Sequence, residues 1–219
     1  MHGLYTTWEW LLEVFFPRPV RVAQFDTLAP EVLMRHTRGT QWYVPLKYPC
    51  IAPLAYKATI VRDAVHAAKY HSHARASELL AQAIASSVAE DVADRQAFGT
   101  YTAPYITAVP LHPEREKERG FNQSERIARA LAEAMGMHDA YRETLVRSRN
   151  TEHQARSQSK AARIRNMQGA FCIAENAVVR GKDILLVDDV VTTGATMGAA
   201  RSVLIKAGAR NVLCIAVAH

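Results

Sequence analysis

The sequence predicts an α/β protein built on a mostly parallel sheet, and three observations carry that reading. Short apolar runs rich in strand formers alternate with stretches of helical periodicity beyond residue 53. Gly136 and Gly208 stand where two of those periodic stretches should stop. All nine prolines fall at or before Pro113, which leaves the second half of the chain free for regular structure. Strands separated by helices need crossover connections, and crossovers go with parallel pairing. The 219 residues give room for one good-sized domain, or a compact domain with a small appendage.

Taken in order, residues 1–53 read as an irregular N-terminal appendage. Pro17, Pro19, Pro30, Pro45 and Pro49 interrupt them, with a short amphipathic helix over Thr7 to Phe16. The domain proper is expected over residues 54–219. Ile60 to Ser87 holds no Gly or Pro. Its apolar positions Ile60, Val61, Ala64, Val65 and Ala68, then Leu79, Leu80, Ala83 and Ile84, predict two helices with a break near His71 to Ala74. Tyr105 to Leu111 reads as a buried strand, Gln123 to Met135 as a helix, and Asp183 to Asp189 as a short apolar strand. Ala195 to Ala207 follows as a helix and Asn211 to Val217 as the last strand.

Composition narrows the class of protein. Apolar residues make up 49% and charged residues 22%, ordinary proportions for a soluble globular chain. Cys50, Cys172 and Cys214 are too few for a disulfide framework or a four-thiolate zinc site, so the cytoplasm is the expected compartment. Met1 to Phe16 lacks the basic start of a secretory signal, and no apolar run is long enough to span a bilayer, so no membrane insertion is expected. The net charge of +6 is uneven: residues 1–109 hold ten basic and nine acidic side chains, residues 110–219 seventeen and twelve. Arg142 to Arg165 alone holds seven basic residues against Glu143 and Glu152. Such a segment suits nucleic acid or a small polyphosphate, and a solvated helix face explains it equally well.

The chemistry concentrates in Ile184 to Ala199, ILLVDDVVTTGATMGA. A buried strand delivers Asp188 and Asp189 at its carboxyl end, the edge where open α/β sheets bind ligands. Val190, Val191, Thr192, Thr193, Gly194, Ala195 and Thr196 then form a small-residue loop that opens a helix. Gly194 lets the backbone approach a ligand closely. Successive N–H groups and hydroxyls surround the positive end of the helix dipole and make a monophosphate cradle. Acid pair and cradle together describe a ribose 5-phosphate site, with the carboxylates accepting hydrogen bonds from the ribose hydroxyls. A simple helix cap with two second-rank aspartates is the plainer alternative, and the length of the VDDVVTTGAT match speaks against it. No GxxxxGK[ST] motif occurs, which excludes a P-loop ATPase. His112 and His153 have no acidic partner at triad spacing.

VDDVVTTGAT resembles the phosphoribosyl pyrophosphate (PRPP) motif of type I phosphoribosyltransferases. The wider chain, from Pro53 to His219, resembles the ComF/GntX-like branch associated with competence for DNA uptake. Arg62 to Tyr70, Val109 to Gln123 (VPLHPEREKERGFNQ) and Leu145 to Phe171 carry that closer match. The resemblance implies the type I phosphoribosyltransferase fold and a site that binds PRPP with Mg²⁺. The metal would be held by Asp188 and Asp189 through water, with Asp189 assisting proton removal. It also implies that Lys69, Arg115, Arg119, Gly120, Asn122, Gln123, Gln154 and Arg163 face the pyrophosphate or belong to a lid. Arg119 is the leading one, because a guanidinium pairs bidentately with phosphate. ComF-like proteins commonly begin with a four-cysteine zinc module. Here Phe16-Pro17 is followed by Arg18-Pro19-Val20-Arg21 and only Cys50 precedes residue 170, so no zinc is expected. Two functions stay open. One is transfer of phosphoribosyl to an unidentified acceptor; the other is a non-catalytic ribose-phosphate-binding accessory protein of DNA uptake. Single-stranded DNA, a protein of the competence machinery and a second copy of the chain are the partners in view. Aromatics at 8% offer DNA no evident stacking platform.

Overall fold

The computed structural model describes residues 22–37, 46–70, 73–148 and 169–219. Two short helices, α1 (Gln24–Thr27) and α2 (Pro30–Met34), precede a two-residue strand, β1 (Cys50–Ile51). Helices α3 (Thr59–Tyr70) and α4 (Ala74–Ala97) follow, then β2 (Tyr105–Ala108), a short helix α5 (Pro113–Arg119) and α6 (Gln123–Ala134). Strands β3 (Leu145–Arg147) and β4 (Phe171–Ile173) form an antiparallel pair. The chain ends with β5 (Asp183–Val190), α7 (Ala195–Lys206) and β6 (Asn211–Ala218).

β1, β6, β5 and β2 lie side by side in that order, and every pairing is parallel. A parallel sheet is covered on both faces, so its central strands read as continuous apolar runs. Strand geometry then divides the side chains by alternation. On β5, Leu185 and Val187 enter the core made with α3, α4 and α6, while Ile184 and Leu186 face α7. On β6, Leu213, Ile215 and Val217 take the first face and Val212, Cys214 and Ala216 the second. This is the α/β fold with a mostly parallel sheet that the sequence predicts. None of the described helices is long and apolar enough to cross a membrane.

Three regions differ from the expectation. Within the segment expected to be an irregular appendage, Phe25 of α1 and Leu33 of α2 are fully buried in the core that holds α4. β1 pairs with β6, Cys50 opposite Cys214, so residues 50–51 complete the sheet. Helices of four and five residues and a strand of two are too short to show a hydrophobic period, and the density of prolines hid them. The helix expected over Thr7 to Phe16 lies outside the described residues. Pro113 to Arg119, between the strand and helix expected from the sequence, is helical. Its all-charged sequence has no apolar stripe, yet Pro113 suits the first turn and the His112 side chain accepts from the Glu114 N–H at 3.3 Å. Gly120 ends it in the left-handed region, at φ +80°. Lastly, α4 runs to Ala97, ten residues beyond Ser87.

Candidate functional site

The site is assembled at the carboxyl end of β5. Asp189 is 6% exposed and Asp188 is half-buried, and the two carboxylates are held by different partners. Asp188 Oδ1 accepts from Ser124 Oγ at 2.8 Å and from the Asp189 N–H at 2.9 Å. Asp189 Oδ2 faces Lys69 Nζ at 3.0 Å and accepts from Gln123 Nε2 at 3.3 Å. Its Oδ1 accepts from the Val190 N–H at 2.7 Å.

Two helix ends make these contacts. Lys69 comes from the last turn of α3, where a cation is favoured by the helix dipole. Ser124 and Gln123 come from the first turn of α6, which the Asn122 side chain caps. Asn122 Oδ1 accepts from the Ser124 N–H at 3.1 Å, and its Nδ2 donates to the Val109 carbonyl at 3.1 Å. The cap therefore ties the start of α6 to the chain leaving β2, and so aims Ser124 at Asp188. Arg119 lies one step further out. Its Nη1 donates to Gln123 Oε1 at 3.0 Å, and its guanidinium sits 5.3 Å from the centre of the Tyr70 ring.

The electrostatics separate the two acids. Burial raises the Asp188 pKa and the neighbouring Asp189 charge raises it further; the Ser124 and backbone hydrogen bonds offset only part of this. Burial also raises Asp189, but the Lys69 ammonium and the Val190 N–H outweigh it and hold that carboxyl below its ordinary value. Lys69 shows the reciprocal effect: burial lowers its pKa, Asp189 more than restores it, and the amine stays charged. Asp189, expected as the group that takes a proton, is therefore the poorer acceptor of the pair. Both of its oxygens already face donors.

The loop that follows runs from Val191 to Gly194. Val191 is buried, Thr192 is exposed, and Thr193 Oγ1 accepts from the Ala195 N–H at 3.4 Å. Gly194 occupies the cap position of α7 at φ +72°, with no side-chain cap. The caps of α4, α5 and α6 are by contrast filled by His73, His112 and Asn122. The first N–H groups of a helix have no intrahelical acceptor, so an uncapped end presents them to an anion. Thr196 lies in that first turn, half-buried.

The sequence-predicted residues thus divide. Lys69, Arg119 and Gln123 converge on the acid pair. Arg115 pairs with Glu118 at 2.9 Å along α5, Gly120 serves as its left-handed stop, and Asn122 is spent on capping. Gln154 and Arg163 lie outside the described residues. Ser124 was missed, although it directly follows the RGFNQ box. Tyr48 was missed for want of any motif. Its Oη donates to the Gly194 carbonyl at 2.6 Å.

Of the two aspartates expected to hold Mg²⁺ through water, Asp188 has the freer carboxylate among the described residues. Among the described residues Asp188 Oδ2 has no hydrogen-bond partner, whereas Asp189 has no oxygen left over. Among the described residues no three His, Cys, Asp or Glu side chains group as a metal site. A ligand-borne Mg²⁺ reached by the aspartates through water is compatible with this arrangement.

An acid pair and a glycine-started helix at the carboxyl end of a parallel strand place the chain among α/β proteins of the kind that bind ligands at that sheet edge. Residues 117–219 match the phosphoribosyl transferase domain family. The chain is 34% identical over 149 residues to the DNA utilization protein YhgH of Salmonella typhimurium, covering 68% of this chain and 62% of that one. It is 31% identical over 199 residues to YhgH of Escherichia coli O6:H1, covering 88% and 84%. To the competence protein ComFC of Bacillus subtilis it is 34% identical over 108 residues, covering 49% and 41%. The first of these matches spans less than two thirds of its relative's length. The chain belongs to the ComF-like branch of the type I phosphoribosyltransferase family.

Proposed function

We propose that the chain binds PRPP, or a related ribose 5-phosphate, at the end of β5. The observation that carries the reading is the placing of Asp188 and Asp189 directly before the uncapped start of α7. The N–H groups of Thr192 to Thr196 take the 5-phosphate, and the Asp188 carboxylate accepts from a ribose hydroxyl. Asp189, fixed by Lys69, holds Gln123 and hence Arg119 in position toward the pyrophosphate side. Mg²⁺, when bound with the ligand, would neutralise the pyrophosphate as a leaving group. The remaining contribution of the protein is placement and electrostatics. If transfer occurs, the C1–O bond to pyrophosphate breaks as an acceptor attacks C1, and Asp188 is the acid better suited to receive the acceptor's proton.

A second reading keeps the same site on a non-catalytic, ribose-phosphate-sensing protein of DNA uptake. The Lys69–Asp189 ion pair favours it, because a carboxylate committed to an ammonium is a weak base. The names of the YhgH and ComFC relatives point to DNA use and competence, so single-stranded DNA or a competence protein is proposed here as the further partner. Pyrophosphate release from PRPP, assayed against a panel of nitrogen bases, separates the readings. Release with any base supports transfer. PRPP binding without release under all of them supports sensing.

A further inference from the structure

Residues 46–48 belong to the segment the sequence assigns to an appendage, yet they close over the phosphate loop. The Gly194 carbonyl accepts the first helical bond of α7 from the Gly198 N–H at 2.8 Å. It accepts a second from Tyr48 Oη at 2.6 Å. Burial raises the Tyr48 pKa, so the phenol remains a donor. The ring lies against both glycines of the first turn. A Cβ at Gly194 would come within 2.6 Å of Tyr48 Oη and 2.8 Å of Leu46 Cδ2, and one at Gly198 within 2.9 Å of Tyr48 Cε1. Arg201, one turn on, holds its guanidinium 5.7 Å from the ring centre. Its Nε donates to the Val212 carbonyl of β6. Tyr48 is thus packed on the helix start, braced from behind, and bonded to the carbonyl of the peptide that carries the Ala195 N–H.

From this juxtaposition we infer that Tyr48 is a positioning residue for the phosphate cradle: its hydroxyl fixes the Gly194–Ala195 peptide, whose N–H faces Thr193 Oγ1, and so sets the turn that carries the Gly194 and Thr196 N–H groups. The inference rests on the reading of that loop as a phosphate site. A cap carbonyl with one partner can rotate about its flanking dihedrals, and Gly194, with no Cβ and φ at +72°, has unusual freedom to do so. A second bond from a braced phenol removes that freedom before the ligand arrives, and pre-ordering lowers the cost of binding. It also explains why small residues are needed at Gly194 and Gly198: the space a side chain would fill is occupied by the tyrosine.

The test is calorimetric titration of ribose 5-phosphate into the full chain as wild type, Y48F and L46A, with amide NMR shifts of Gly194 to Thr196 as the second readout. Y48F removes only the hydroxyl, and its affinity is expected to fall about tenfold, the weight of one well-placed hydrogen bond. The Gly194 to Thr196 amides should shift in the ligand-free variant. L46A removes packing on the same glycine without touching the bond, so its affinity should stay within about twofold even if its melting temperature falls as far. Wild-type affinity in Y48F with unshifted loop amides overturns the inference and leaves the phosphate site standing. Equal affinity losses in Y48F and L46A also overturn it, since packing alone would then account for both. Failure of the wild type to bind ribose 5-phosphate overturns the site reading itself.

Discussion

At the start of β5, Asp183 accepts from the Thr102 N–H at 2.7 Å, Thr102 Oγ1 at 3.2 Å, Arg210 Nε at 2.9 Å and Asn211 Nδ2 at 2.9 Å, with Arg210 Nη2 closing the ion pair. At the other end of the same strand, Asp188 and Asp189 stand side by side, each held by its own donors. Both ends bury carboxylates at the edge of one sheet. The first is saturated: burial raises the Asp183 pKa, but its hydrogen bonds and the Arg210 charge bring it down to about 2. The second is crowded, with Asp188 held above its ordinary value and Asp189 below. An acid whose lone pairs are all used secures structure. An acid kept near a like charge with an oxygen to spare is available to a ligand.

The largest effect that sharpens this contrast is expected from Asp188→Asn. Ribose-phosphate affinity should fall about 100-fold, the scale of a charge-assisted hydrogen bond, with the melting temperature nearly unchanged. Asp183→Ala should do the reverse. Removing the shared acceptor of Thr102, Arg210 and Asn211 is expected to cost about 2 kcal/mol by denaturant titration, with affinity intact. A fall in affinity there would break the division between the two ends.

Lys69→Met tests the middle case. The Asp189 carboxylate would stay buried without its cation, costing about 1–3 kcal/mol at neutral pH. Its folded-state pKa would then rise above the unfolded value. A carboxyl raised in this way destabilises once ionised, so the deficit should shrink as pH falls toward 4, about the ordinary carboxylate value. A deficit independent of pH would show that Lys69 acts through packing alone. The smallest effect concerns acid stability of the wild type. Because folding lowers the Asp183 pKa, its contribution is fully present above the ordinary carboxylate value and is lost as pH falls through about 2. Asp183→Asn should flatten the stability profile in that window, which melts recorded from pH 5 to pH 2 would reveal.

Much of this architecture is legible in the sequence where local pattern and tertiary role coincide. DILLVDD is apolar because it is buried on both faces, and the loop after it is small where Tyr48 lies on Gly194. The helices of residues 59–97 and 123–134 carry their stripes openly. What the sequence concealed is long-range. Tyr48 and Gly194 are 146 residues apart, and Lys69 and Asp189 are joined only when α3 reaches the strand end. Asn122 read as a ligand residue because it sits in a distinctive box; its actual partners, Ser124 N–H and the Val109 carbonyl, are invisible to spacing. Phe25 and Leu33 were hidden because helices this short have no measurable period.

The most direct test of the central claim is calorimetric titration of PRPP into the wild-type chain and the Asp188→Asn variant, with and without Mg²⁺. The account predicts saturable binding by the wild type, strengthened by Mg²⁺, and a loss of about 100-fold in the variant. Equal affinity in the two proteins, or no binding by a folded wild type, would contradict it.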